Sequence, residues 1–373
     1  MSGPTIGVIG ADVPRQLILA AGATPVHLSG AWNGKVSQEA SELLGACDAV
    51  AARVLDAVLS GAHDELVGLI VCNDSMAHLR IFYVLRVLAG RCRFPFPVHL
   101  LDAPRGGGKH RNRFVARQYE RLTNFAAACT GTPVDTIPLT ESATREALLG
   151  RTLEHVRTRR RAHTLTGTAA LRAYAAATCR APEEAVIEIE ESLGRPAAPG
   201  TPFPDSSSPA PPNGLQGTVP VVMTGSSHPD PTVYETLEQA GFLVVGEDHD
   251  TGDSAWIGDY VDSGDVIPCQ DSLRDAFHRL AKQHAQRPPA AARSLSSERT
   301  RHLLEVVEQT NAAGVVALVR DLDDGPVWDL PGQREALAAS QRWLVAVEQI
   351  PADGIREATS ALINQLQTQE ALS

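Results

Sequence analysis

None of the six cysteines of this chain forms a CxxC pair. Cys47, Cys72, Cys92, Cys129, Cys179 and Cys269 are scattered along 373 residues. That spacing supplies no thiolate metal motif and no disulfide framework, so the thiols are expected to be buried and unpaired in a reducing cytosol. Also missing is any apolar run of roughly eighteen residues, the length needed to cross a bilayer. No basic start is followed by an apolar middle and a small-residue cleavage site. A cytoplasmic location is expected. Basic surplus is lacking too: 44 acidic residues face 33 Lys and Arg, a formal charge of −11. Binding to nucleic acid or an anionic membrane needs the opposite balance, so no partner of either kind is expected. There is no GxSxG elbow, no HExxH and no GxGxxG after a strand.

What is present describes an ordinary globular protein, 43% hydrophobic and 21% charged, long enough for two cores. The clearest boundary is PFPDSSSPAPPNGLQG at 202–217, whose prolines lack an amide donor and whose Ser, Asn and Gly favour turns. It divides a first α/β domain (1–137) and a helical region (138–201) from a second α/β domain (218–373). Short β-rich runs alternate with helical spacing in both halves. Strands are expected at Thr5–Gly10, Ala23–Leu28, Gly68–Cys72 and Pro97–Leu101, then at Val219–Thr224, Phe242–Gly246, Val315–Val319 and Trp343–Val347. Helices are expected between them at Pro14–Ala21, Gln38–Leu59 and Ala77–Leu88, then at Tyr234–Ala240, Ser272–Gln283 and Glu298–Ala312. This order predicts an α/β fold with two doubly wound parallel sheets, whose strand C-terminal ends face a shared cleft. The helical segment Ser142–Leu193 is expected beside the first sheet, and the basic run Arg157–Arg161 as a solvated helix face.

Several short motifs resemble the 2-hydroxyacyl-CoA dehydratase/benzoyl-CoA reductase subunit family. They are Ile9-Gly10 through Pro14, Leu17 through Leu28, Arg53 through Gly61, Asn73-Asp74-Ser75-Met76, Val98 through Arg105, Thr224-Gly225-Ser226 and Glu247 through Gly252. The resemblance implies flavodoxin-like domains, related subunits that pair, an acyl-CoA substrate and an ATP-driven activator. It also implies a four-iron–four-sulfur cluster on three cysteines and elimination of water through a ketyl radical. The three positions that match those cysteines are Asn73, Asp250 and Asp323. Iron–sulfur clusters need soft thiolates, so no cluster is expected on this subunit, although Cys72 lies beside the first position.

The candidate site therefore keeps the cleft and changes the donors. Asn73, Asp74 and Ser75 precede a helix whose amides could hold an anion or a thioester oxygen, or Asp74 or Ser75 simply caps it. Arg105 and Lys109 belong to a basic glycine loop, Arg105 to Arg111, that could meet CoA phosphates or lie free at the surface. His78 could serve as an acid or base, or pack. His249, Asp250, Asp321 and Asp323, with Asn73, could ligate a divalent ion, or His249, Asp250 and Asp323 could act as acid–base groups, or the Asp and Asn residues merely cap and turn. Three functions follow. The first is a subunit that binds or transforms an acyl thioester beside a homologous partner that carries the cluster. The second is an independent non-radical enzyme using His249, Asp250 and Asp323. The third is a non-catalytic interaction subunit.

Overall fold

A computed structural model describes residues 3–194, 215, 217–255 and 272–370. The expected linker at 202–217 and Cys269 lie outside the described residues, apart from 215 and 217. The first sheet holds β1 (Thr5–Ile9), β2 (Thr24–His27), β3 (Gly68–Cys72) and β4 (Val98–Leu101) in the order β2-β1-β3-β4. The second holds β5 (Val219–Gly225), β6 (Phe242–Glu247), β7 (Gly314–Arg320) and β8 (Trp343–Ile350) in the order β6-β5-β7-β8. Every pairing is parallel. The two halves thus repeat one topology, with the strand order reversing at the first strand of each. That reversal leaves a crevice at the strand C-terminal ends.

Fourteen α-helices pack around the sheets among the described residues. In the first half these are α1 (Arg15–Ala20), α2 (Gln38–Leu44), α3 (Ala49–Leu59), α4 (Met76–Ala89) and α5 (Lys109–Thr130). Next come α6 (Thr136–Arg161), α7 (Gly167–Cys179) and α8 (Pro182–Ser192). The second half adds α9 (Thr232–Gln239), α10 (Leu273–His284), α11 (Ser296–Gln309), α12 (Asp324–Val327), α13 (Leu330–Ala339) and α14 (Ile355–Glu370). No helix among the described residues is long and apolar enough to cross a membrane.

Strand alternation decides where the buried side chains go. In β3, Leu69 and Val71 pack with Leu55, Ile81 and Leu85, on the face covered by α3 and α4. Ile70 and Cys72 pack on the other face with Ile6, Leu101, Val115 and Tyr119. Cys72 is therefore a core residue, with burial pushing its thiol well above the ordinary range.

Four expectations need correction. The helix expected at Gln38–Leu59 is two, because Gly45 takes a positive φ of 65° and Asp48 starts α3 by accepting from the Val50 and Ala51 amides at 3.3 and 3.2 Å. Lys109 to Arg111 are the first turn of α5 rather than a loop. The run Arg157–Arg161 is a solvated face only in part: Thr158 and Arg161 are exposed and Arg159 is half-buried. Arg157 and Arg160 fall on the α6 stripe that carries Leu149, Leu153 and Val156 inward, and both are buried. Arg157 Nε donates to Asp253 at 2.5 Å, and the Arg160 guanidinium binds Glu247 and the Val244 carbonyl. Those pairs draw the helical region across both halves: α7 touches β2 and β6, and α6 touches α1 and β6. Last, α10 leaves the second half and packs on α5, with Ala276, Phe277 and Leu280 entering the core of the first sheet.

Candidate functional site

The loops after β1, β3, β5, β6 and β7 meet at one cavity of about 190 Å³ between the two sheets. Its lining draws on all three socket loops, through Asp74 and His78, through His249 and Asp250, and through Leu322 and Asp323. Met76 and Leu322 also line it and are 62% and 49% exposed, which marks its mouth.

At the first socket, Asn73 turns away from the cavity. Its amide donates to Asp102 Oδ1 at 3.1 Å, and its carbonyl accepts from Arg293. Asp74 turns in: Oδ2 accepts the Ala11 amide at 2.8 Å, and Oδ1 meets His78 Nδ1 at 2.6 Å. Ser75 is the N-cap of α4 and accepts from the His78 amide at 3.0 Å. Gly10 makes this approach possible. It holds φ at +97°, and a Cβ there would meet the Asp74 carboxylate and sit 2.7 Å from the Cys72 Cβ. Burial pulls the His78 imidazole toward its neutral form. The charge and hydrogen bond of Asp74 outweigh it, so the net shift is upward, with Asp250 and Asp48 adding to it. The His78 side chain keeps 24% of its surface open.

At the second socket, His249 is buried and its Nε2 lies 2.8 Å from the Tyr234 hydroxyl. Burial, then the charges of Arg160, Arg299 and Arg320, push it down to about 3, so it stays neutral. Asp248 lies 3.3 Å from the fully buried Arg299. Asp250 receives Arg105 at 3.3 Å, while the same guanidinium donates to Asp12 at 3.0 Å and the Pro288 carbonyl at 2.7 Å. Arg287 also reaches Asp12, at 2.5 Å. Burial alone would raise Asp12, but the two guanidiniums hold it well below the usual carboxylate range.

At the third socket, Arg320 grips Asp48 from the opposite domain with two bonds, Nε–Oδ1 at 2.7 Å and Nη2–Oδ2 at 3.2 Å. It also reaches Asp323 at 3.4 Å and the Ser227 carbonyl, and lies over the Trp32 ring at 5.6 Å. The Thr224-Gly225-Ser226-Ser227 turn supports it, with Ser226 Oγ accepting the Arg320 amide at 3.0 Å. Asp321 is exposed and lies outside this cavity. Lys109 is exposed and does not line it.

The sockets thus converge, but their side chains divide. Asp250 and Asp323 are oxygen donors already matched to guanidinium groups, Asn73 faces elsewhere, and the Cys72 thiol is in the core. This donor set is hard, cation-paired and without a thiolate, a poor fit to an iron–sulfur cluster. His249, Asp250 and Asp323 line the cavity, and Asn73 and Asp321 do not; among the described residues there is no group of three or more His, Cys, Asp or Glu placed to hold a metal ion.

One lining residue had been given no role. His27 closes β2 inside the TPVHL run and faces the cavity, with Nδ1 3.1 Å from Ser29 Oγ. Its Nε2 has no hydrogen-bond partner among the described residues. Burial, then the charge of His78, push it down to about 4. The available signal was its place as the last residue of a parallel strand, where ligands collect.

A family model described as 2-hydroxyglutaryl-CoA dehydratase, D-component, matches residues 11–321. A search of curated proteins finds no significant match.

Proposed function

Because the chain belongs to the 2-hydroxyglutaryl-CoA dehydratase D-component family, we propose that it binds an acyl thioester in the interdomain cleft. It does so as one subunit of a complex and without a cluster of its own. The observation that carries the reading is the meeting of all three socket loops at a single cavity. Drug-sized ligands occupy pockets of roughly 300–1,000 Å³. A cavity of about 190 Å³ therefore suits a short acyl group, with the rest of coenzyme A outside. Lys109, exposed at the start of α5, is offered to the phosphates, whereas Arg105 is committed to Asp12 and Asp250. The apolar rim of Met76 and Leu322, 62% and 49% exposed, suits cover by a homologous subunit that carries the cluster.

Calorimetry with 2-hydroxyglutaryl-CoA against free coenzyme A tests the binding; equal affinities would remove the acyl group from the proposal. Anaerobic spectra and iron analysis of the isolated chain test the rest, and a stoichiometric bound cluster would overturn it. Purification from the native host is expected to bring down a cysteine-bearing homologue, and a lone homodimer would count against the complex.

A further inference from the structure

The cavity wall carries a charge imbalance that bears on what the acyl group can be. Six aspartates line it, Asp48, Asp74, Asp248, Asp250, Asp323 and Asp324, against one arginine, Arg320. That arginine is spent, because its guanidinium is bound to Asp48, Asp323 and the Ser227 carbonyl. Arg105 and Arg299, which meet Asp250 and Asp248, do not themselves line the cavity. His78 gives at most one positive charge, and Asp74 already faces it at 2.6 Å. His27 and His249, pushed down to about 4 and about 3 by burial first, bring none. The carboxylates already crowd one another. Burial raises Asp323 above the ordinary carboxylate value, and the charges of Asp48 and Asp250 add to the rise against the pull of Arg320. Another stretch of the wall is apolar. Leu28 follows β2, Val50 and Val54 stand one turn apart on α3, and all three are buried and line the cavity.

We infer that the cleft selects 2-hydroxyacyl thioesters whose acyl chain ends in an uncharged, apolar group, and disfavours chains that end in a carboxylate. The inference rests on the thioester-binding reading and adds the class of acyl chain. A carboxylate carried into this cavity leaves water, and it needs a cation or hydrogen-bond donors in exchange. The cations at the wall are already matched to aspartates, so the newcomer meets like charge at close range. A hydrocarbon end gives up no hydration that must be replaced, and it gains contact with Leu28, Val50 and Val54. The phosphates of coenzyme A stay outside the cavity and escape this penalty. The 2-hydroxyl and the thioester are common to all such substrates, so the selection acts on the far end of the chain alone. Asp324 is exposed and has no ion pair among the described residues, which makes it the aspartate whose replacement disturbs the wall least.

The test is calorimetry on the full chain with three thioesters that share the coenzyme, the 2-hydroxyl and the chain length. They are 2-hydroxyglutaryl-CoA, its terminal amide, and the analogue with an isopropyl group in place of the terminal carboxylate. The amide keeps the shape and drops the charge, and the isopropyl group drops the polarity as well. The expected order of affinity is isopropyl, amide, carboxylate, with free coenzyme A below all three. The amide should bind about 10-fold more tightly than the carboxylate, the scale of one like-charge contact in a partly screened site. Asp324→Lys should close most of that gap. Val54→Ala should narrow only the gap between the isopropyl compound and the amide, and thermal melts establish that both variants fold. Equal binding of carboxylate and amide, or tighter binding of the carboxylate, overturns the charge selection and leaves thioester binding standing. A carboxylate penalty that Asp324→Lys leaves unchanged overturns its electrostatic origin. An amide that binds as tightly as the isopropyl compound overturns the apolar part. No preference for any acyl compound over free coenzyme A overturns the thioester-binding reading itself, and the inference with it.

Discussion

Two walls of one cavity carry carboxylates in opposite circumstances. On the side of β6 and β7, Asp250 and Asp323 are held by Arg105 and Arg320, cations that never lose their charge. On the side of β2 and α4, Asp74 is held by His78, a cation only while protonated. The first wall is a fastener: Arg320 joins Asp48 across the domain interface, Arg105 bridges Asp12 and Asp250, and Arg287 reaches back to Asp12. The second is reachable from solvent and can trade protons. The difference separates a wall held by permanent ion pairs from one whose ion pair depends on a titratable partner.

The strongest way to break this contrast is to unfasten the first wall. Arg320→Met leaves the Asp48 carboxylate buried without its cation, and a loss of about 3–5 kcal/mol in denaturant unfolding is expected. Adding Asp48→Asn to that variant removes the stranded charge and keeps a cap for α3, so most of the loss should return. If the double variant is as unstable as the single, the pair is not the fastener.

Acidity sharpens the contrast further, because the two walls respond with opposite sign. His249 has its folded pKa, about 3, below the unfolded value near 6.5, so its contribution is complete above that value and drains away as pH falls. Its limiting slope between those values is about 1.4 kcal/mol per pH unit. The buried His284, likewise pushed to about 3 by burial first, adds in the same direction. His78, raised by Asp74, contributes most below its unfolded pKa and loses that contribution as pH rises. Histidine NMR titrations should show His249 unprotonated down to pH 4 and His78 titrating above the ordinary range. The reverse order would dissolve the comparison.

The smallest expected effect is at Asp250. Its side chain is 35% exposed, so the ion pair with Arg105 is screened. Asp250→Asn should cost no more than about 1 kcal/mol in a thermal melt. A larger loss would place Asp250 among the fasteners proper.

The eight strands were legible because each is a short, largely apolar run set between helical spacings, and the two halves repeat one strand order. The convergence of the sockets was legible too, since loops after parallel strands share one edge of a sheet. The pairing was not. Asp48 and Arg320 lie 272 residues apart, and no local pattern announces a partner at that distance. The arginines of α6 were misread for the same reason, because a basic run looks solvated until Glu247 and Asp253 are folded against it. Asp74 and Ser75 are both cap-type residues in the sequence; Ser75 is the one that caps α4, which frees Asp74 for His78. His27 was hidden inside a strand, where only the end of the run tells a lining residue from a core one.

Gly10 gives the site an architecture that a functional screen would misattribute. Its left-handed backbone and the space beneath it, shared by Asp74 and Cys72, admit no side chain. A saturation library at this position, selected only for turnover, should return a one-letter alphabet. That outcome would look like the fingerprint of a reacting group. It would in fact record a vacancy, one missing methyl that lets the Asp74 carboxylate swing under the chain and steer an imidazole five residues from the nearest socket position.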